Sequence, residues 1–119
     1  MLSLAILAVI VFGAAGCGRK DGADVAQPLQ ESFKAAEPEV QQAVAKVATQ
    51  LKAGQVAEAT RTLAPLVSGR PLTDAQRQAV GVALQQINKA VAANPDLNTK
   101  EMYELRARMF KAVHSGPRF

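Results

Sequence analysis

Few side chains in this 119-residue chain could do chemistry on their own. There is one cysteine, Cys17, and one histidine, His114. A single thiol cannot close an intramolecular disulfide or build a Cys-rich zinc site, and a single imidazole leaves no His-based metal cluster or catalytic triad. His114 reads as a solvated residue near a helix end, where a cation complements the helix dipole. The carboxylates are scattered, so a two-carboxylate hydrolase could be drawn only by free choice of a pair. No nucleophile motif, phosphate loop or metal-ligand spacing is present. The expectation is a non-enzyme with no cofactor and no metal. The alternative is an enzyme, or an enzyme accessory, whose cleft is marked by no motif.

The surroundings of Cys17 carry more information. Residues 1–16, MLSLAILAVIVFGAAG, contain no charged side chain, and every Asp, Glu, Lys and Arg lies beyond Cys17. Such an apolar run falls short of the ~20 residues that a helix needs to cross the hydrocarbon layer; its length suits the apolar region of a signal peptide. Its last residues, Gly13-Ala14-Ala15-Gly16-Cys17, resemble the lipobox of bacterial lipoproteins. That resemblance covers the first 17 or so residues. It implies cleavage between Gly16 and Cys17, where small side chains fit a peptidase that closes on extended backbone. It also implies lipidation of the Cys17 thiol, and more than one acyl chain makes membrane attachment firm. Gly18 in place of Asp after the cysteine implies, by the same resemblance, delivery to the outer membrane. The domain plan is then a signal peptide over 1–16, a lipidated Cys and flexible Gly-rich, charged tether over 17–27, a helical domain over 28–113 and a disordered tail over 114–119.

Beyond the tether the chain must fold on a small scale, since ~100 residues make one domain. The stretch is rich in Ala, Gln, Leu, Val and Lys and shows neither period-two alternation nor a hairpin turn, so the fold class is all-α. Leu29, Phe33, Ala36, Val40, Val44, Val47 and Leu51 form one stripe at helical steps. Because the stripe keeps phase across Pro38, one helix over 28–52, kinked at Pro38, is predicted, with two helices meeting at Glu37 as the alternative. Gly54 supplies a left-handed cap. A second helix over 55–67 has Glu58 in a capping-box position and buries Val56, Ala59, Leu63 and Leu66 or Val67, with Pro65 bending or ending it. Thr73 and Gln76 form a capping box for a third helix, 73–93, which presents Val80, Leu84, Ile87 and Val91, while Gly81 allows a close crossing. Leu97, Asn98, Glu101 and Met102 supply the staple and cap of a fourth, 98–113, burying Met102, Leu105 and Met109 with Tyr103 and Phe110 beside them. Short connections imply about four antiparallel helices.

Residues 54–59, GQVAEA, followed by Leu63 and Pro71, resemble the second half of a tetratricopeptide repeat. The resemblance covers half of one repeat, and Ala43, Lys46, Val47 and Gln50 depart from the types its first half requires. Several such repeats are needed for a binding groove, so the packing logic of an ordinary helical pair is expected.

The net charge is +4, with the excess concentrated near the carboxy terminus. Lys100, Arg106, Arg108 and Lys111 form a candidate face for anionic contacts, such as lipid headgroups, against Glu101 and Glu104. A Glu104–Arg108 pair on an ordinary solvated helix surface is the plainer reading. The stripe is too sparse for nucleic acid. Gln41, Gln42, Gln50, Gln55, Gln76, Gln78, Gln85 and Gln86 make much of the polar surface neutral, as expected of good helix formers on exposed sides. Taken together, the chain is expected to be a small membrane-anchored bacterial lipoprotein of the cell envelope. It would face the periplasm, with the outer membrane favoured, and bind or scaffold a protein partner or a second copy of itself. An uncleaved single anchor carrying a helical partner-binding domain is the other alternative.

Overall fold

A computed structural model describes the backbone of residues 20–115 and the side chains of residues 25–115. Among the described residues there are five α-helices and no strands: α1 (Lys20–Ser32), α2 (Pro38–Lys52), α3 (Val56–Ser68), α4 (Asp74–Ala93) and α5 (Lys100–His114). A short 3-10 turn, Pro95–Leu97, joins the last two. The all-α class therefore stands. Cys17 and Gly16 lie outside the described residues.

The single kinked helix over 28–52 is replaced by two. Pro38 is the first residue of α2, and Glu37 before it is extended, with φ −59° and ψ 153°. A residue that precedes proline is driven from α geometry by the pyrrolidine ring, so the helix cannot run through it. Residues 33–37 form a turn whose amides bond backwards, Ala36 N–H to the Phe33 carbonyl at 3.0 Å among them. Gln41 then reaches back from α2, its Nε2 donating to the carbonyls of Lys34 and Ala36 at 2.8 and 2.7 Å. Carbonyls left over at the break thus find a donor.

Helix α1 also begins eight residues earlier than Pro28, at Lys20, and carries Pro28 inside it. The stretch expected to be a tether is helical from Lys20 onward. Val25 and Ala26 are buried. Val25, Leu29 and Phe33 succeed one another at steps of four, so the apolar stripe extends upstream of the proline. An interior proline costs about 3 kcal/mol, which burial of Val25 and its neighbours offsets at about 1.5 to 3 kcal/mol for each large side chain.

The later helices match the expected spans to within two residues. Thr73 and Gln76 form the reciprocal capping box, at 3.0 and 3.1 Å. Gly54 holds φ +80° after α2. Pro65 sits within α3, which continues to Ser68, so it does not end that helix. Two expected caps are different. Gln55 makes no side-chain cap on α3; Glu58 turns instead to Arg61, 3.0 Å away. Thr99, not Asn98, caps α5, accepting from the Met102 amide at 3.1 Å.

Helix α1 packs on α2 and α4, α2 on α3, α3 on α5, and α4 on α5. One core runs through them: Leu29, Phe33, Val44, Val47, Leu63, Val67, Val80, Ile87, Met102 and Met109 are all essentially inaccessible. Thr60 is buried among them and satisfies its hydroxyl on the Val56 carbonyl at 2.7 Å. Gly81 does not mark a forced contact between α4 and α5, since a Cβ placed there would meet Val113 Cγ1 at an ordinary 3.6 Å. Gly81→Ala should therefore raise stability by about 0.5 to 1 kcal/mol through reduced chain entropy. A thermal melt by circular dichroism should show a Tm higher by a few degrees, and a lower Tm would mean that the crossing is tighter than this.

Candidate functional site

The candidate basic face lies on α5, whose position is set by both of its other sides. Met102 and Met109 enter the core, with Leu105 and Val113 partly buried beside them. At ~100° per residue, Tyr103, Ala107, Phe110 and His114 lie on one flank of the helix, the first three bordering α4, while Lys100, Glu104 and Lys111 lie opposite the core side. Tyr103 is 65% exposed and Phe110 56%. The His114 ring stacks on Phe110 with centroids 4.1 Å apart, and its Nδ1–H donates to the Phe110 carbonyl at 2.9 Å. That accounts for His114 by local contacts. Among the described residues no group of three potential metal ligands comes together.

The four cations singled out by sequence do not form one cluster. Lys100 and Lys111, eleven positions apart, share one side of the Tyr103–Phe110 line, and both are exposed. Arg106 lies on the other side, half-buried against α4. Its Nη1 donates to Asn88 Oδ1 at 2.9 Å and its Nη2 to Asn98 Oδ1 at 3.2 Å, while its buried Nε has no hydrogen-bond partner. Both partners are neutral amides. The guanidinium is therefore fixed in place with its charge uncompensated. Arg108 is exposed and lies further round the helix, away from the aromatic pair.

The acids on α5 are treated unequally. Glu101 points to α3 and takes a forked contact from Arg61, with Nε to Oε2 and Nη2 to Oε1 both at 3.1 Å. Arg61 also holds Glu58. The hydrogen bonds and charge of Arg61 keep the Glu101 carboxyl below its usual range, against the opposing effect of desolvation. The ion pair that forms on α5 is thus Glu101–Arg61; Glu104–Arg108 is not among the ion pairs of the described residues. An open groove of about 280 Å³ runs between α4 and α5, lined by Leu84, Asn88, Tyr103, Arg106, Ala107 and Phe110.

Sequence reasoning picks the cations and misses their surroundings. Tyr103 and Phe110 lie beside the buried Met102, Leu105 and Met109, as expected, but they are exposed, on the flank that lines the groove against α4. Ala107, the position between them on that flank, is small and covers neither ring, which is the local sign of their exposure. The Arg61–Glu101 contact joins residues forty positions apart, and no local pattern indicates it. No family model, curated protein or solved structure matches the chain.

Proposed function

We propose that the chain is a small bacterial lipoprotein, lipidated at Cys17, that holds an all-helical domain close to the periplasmic face of a membrane and acts there by binding or scaffolding. The observation that carries this reading is the abrupt change at Cys17: sixteen uncharged residues ending in Gly-Ala-Ala-Gly stand before it, and every charged residue stands after it. Helix α1 begins at Lys20, so the acylated residue would lie at most ~11 Å of chain from the folded body. Such a domain would be held at the bilayer, not on a long stalk. Among the described residues no helix is long and apolar enough to cross a membrane. Gly18 in the position after the cysteine favours the outer membrane as destination.

The helices are read as an antiparallel bundle. Three contacts support this: Gln76 Nε2 donates to the Ser32 carbonyl at 3.2 Å, joining the start of α4 to the end of α1; Arg106 meets Asn88; and Gly81 faces Val113. Mid-α5 thus meets the later part of α4, and the end of α5 meets the early part of α4, as antiparallel neighbours do.

Mass spectrometry of the membrane-extracted protein tests the assignment. Mature protein should begin at Cys17 with acyl chains attached, and Cys17→Ser should leave the chain unprocessed or release it from the membrane fraction. A mature protein that keeps Met1 overturns it.

A further inference from the structure

We propose that the exposed flank of α5 that carries Tyr103 and Phe110, with Lys100 and Lys111 beside them on the outermost side of the helix, docks onto the anionic surface of the bilayer that holds the chain. This rests on the membrane-anchored reading and assigns a partner to the exposed helix. Three observations carry it.

Composition of the face is the first. Tyr103 and Phe110 are large apolar groups left in water, and they are the two exposed aromatic side chains of the described residues. Aromatic rings flanked by cations suit the headgroup boundary, where the ring body enters the apolar side and the charges meet lipid phosphates. Sign of the charge is the second. Arg106 is fixed beside the aromatic pair by two neutral amides, and Glu101 is turned away to Arg61. The charged groups around the aromatic pair are then Lys100, Arg106, Lys111 and His114, with Arg108 further round, against Glu104 on α5 and Asp96 in the preceding turn; Lys89 of α4 lies in the groove on the side of α1 instead. Position of the anchored end is the third. The end of α1 lies at the start of α4 through Ser32 and Gln76. Val25, nearer the beginning of α1, shares a groove with Val82, Gln86, Ala90 and Ala93. Traced towards Lys20, α1 therefore runs to the end of α4 from which Pro95–Leu97 leads into Lys100. The chain leaves the domain for the membrane at the end that carries Lys100 and Tyr103.

Tyr103 supplies its own reporter, because the chain contains one tyrosine and no tryptophan. The full-length protein extracted from membranes is reconstituted into vesicles of phosphatidylcholine alone or with phosphatidylglycerol, and acrylamide quenching of Tyr103 fluorescence is measured. Quenching should be strong in neutral vesicles and weak in anionic ones. It should return in anionic vesicles at about 1 M salt, where charges more than ~3 Å apart are screened. Each lysine near the surface contributes about a fivefold shift in docking, so Lys100→Gln with Lys111→Gln should weaken it about 25-fold while leaving the helical circular dichroism unchanged.

Equal quenching in both vesicle types overturns the proposal. So does equal protection in both, which would mean that a second copy or an apolar contact covers the face. Protection by a soluble polyanion in neutral vesicles overturns it too, in favour of an acidic macromolecular partner. Failure of the anchor is scored separately, by loss of the protein from both vesicle types after a salt wash; Tyr103 is then read with vesicles added to free protein, and the docking outcome stands on its own.

Discussion

Phe33→Ala should cost about 3 to 5 kcal/mol, the loss expected when a fully buried aromatic is cut back to a methyl group. Phe33 is 1% exposed and is the first residue after α1, at the turn into α2. Its backbone carbonyl accepts the Ala36 amide, and its own amide reaches Gln30 at 3.2 Å, so the residue cannot move into the cavity without breaking the turn. Domains of this size typically have 5 to 15 kcal/mol in total, so the variant should be near the edge of folding. Urea titration of the detergent-solubilised chain should give a sharply lower midpoint with an unchanged slope. Phe33→Leu, which keeps most of the volume, should cost under about 1.5 kcal/mol. A loss below that figure for the alanine variant would place Phe33 outside the core.

Phe33 also shows how far the sequence reaches and where it falls short. The stripe from Leu29 to Leu51 is legible because burial recurs at helical steps, and Leu29, Phe33, Val40, Val44, Val47 and Leu51 are all buried. Whether those steps lie on one helix or two is not, since two helices packed on one core can keep the same phase. Pro38 is the deciding local signal: its effect on Glu37 outweighs the continuity of the stripe. The capping box of Thr73 and Gln76 is legible because both partners are local. The tie between Arg61 and Glu101 and the amide clamp on Arg106 depend on how α3, α4 and α5 meet, which no single helix encodes. In the same way, the candidate cations can be chosen from composition, yet their division into an exposed pair, a clamped arginine and a marginal one requires the packing.

Helix α1 is where a solvated tether and a packed helix differ most, and Val25→Asp separates them. As a tether, residues 18–27 would accept a carboxylate at no cost. In the fold Val25 is 4% exposed and belongs to the core cluster, so aspartate there loses about 1.5 to 3 kcal/mol of apolar burial and must also bury or expel a charge. The expected loss is at least about 3 kcal/mol at neutral pH. Burial without a partner raises the folded-state pKa of the introduced carboxyl above its unfolded value, so the neutral form is favoured in the fold. The destabilisation should therefore be largest above that raised pKa and shrink as the pH falls through it, whereas Val25→Asn should show no such dependence. Gln27→Asp, two residues on at an exposed site of the same helix, supplies the comparison and should change stability by less than about 0.5 kcal/mol. Urea midpoints measured for the three variants at neutral and mildly acidic pH distinguish the alternatives. If Val25→Asp behaves like Gln27→Asp, the segment before Pro28 is not packed on α4, and the domain stands further from its anchor than α1 allows.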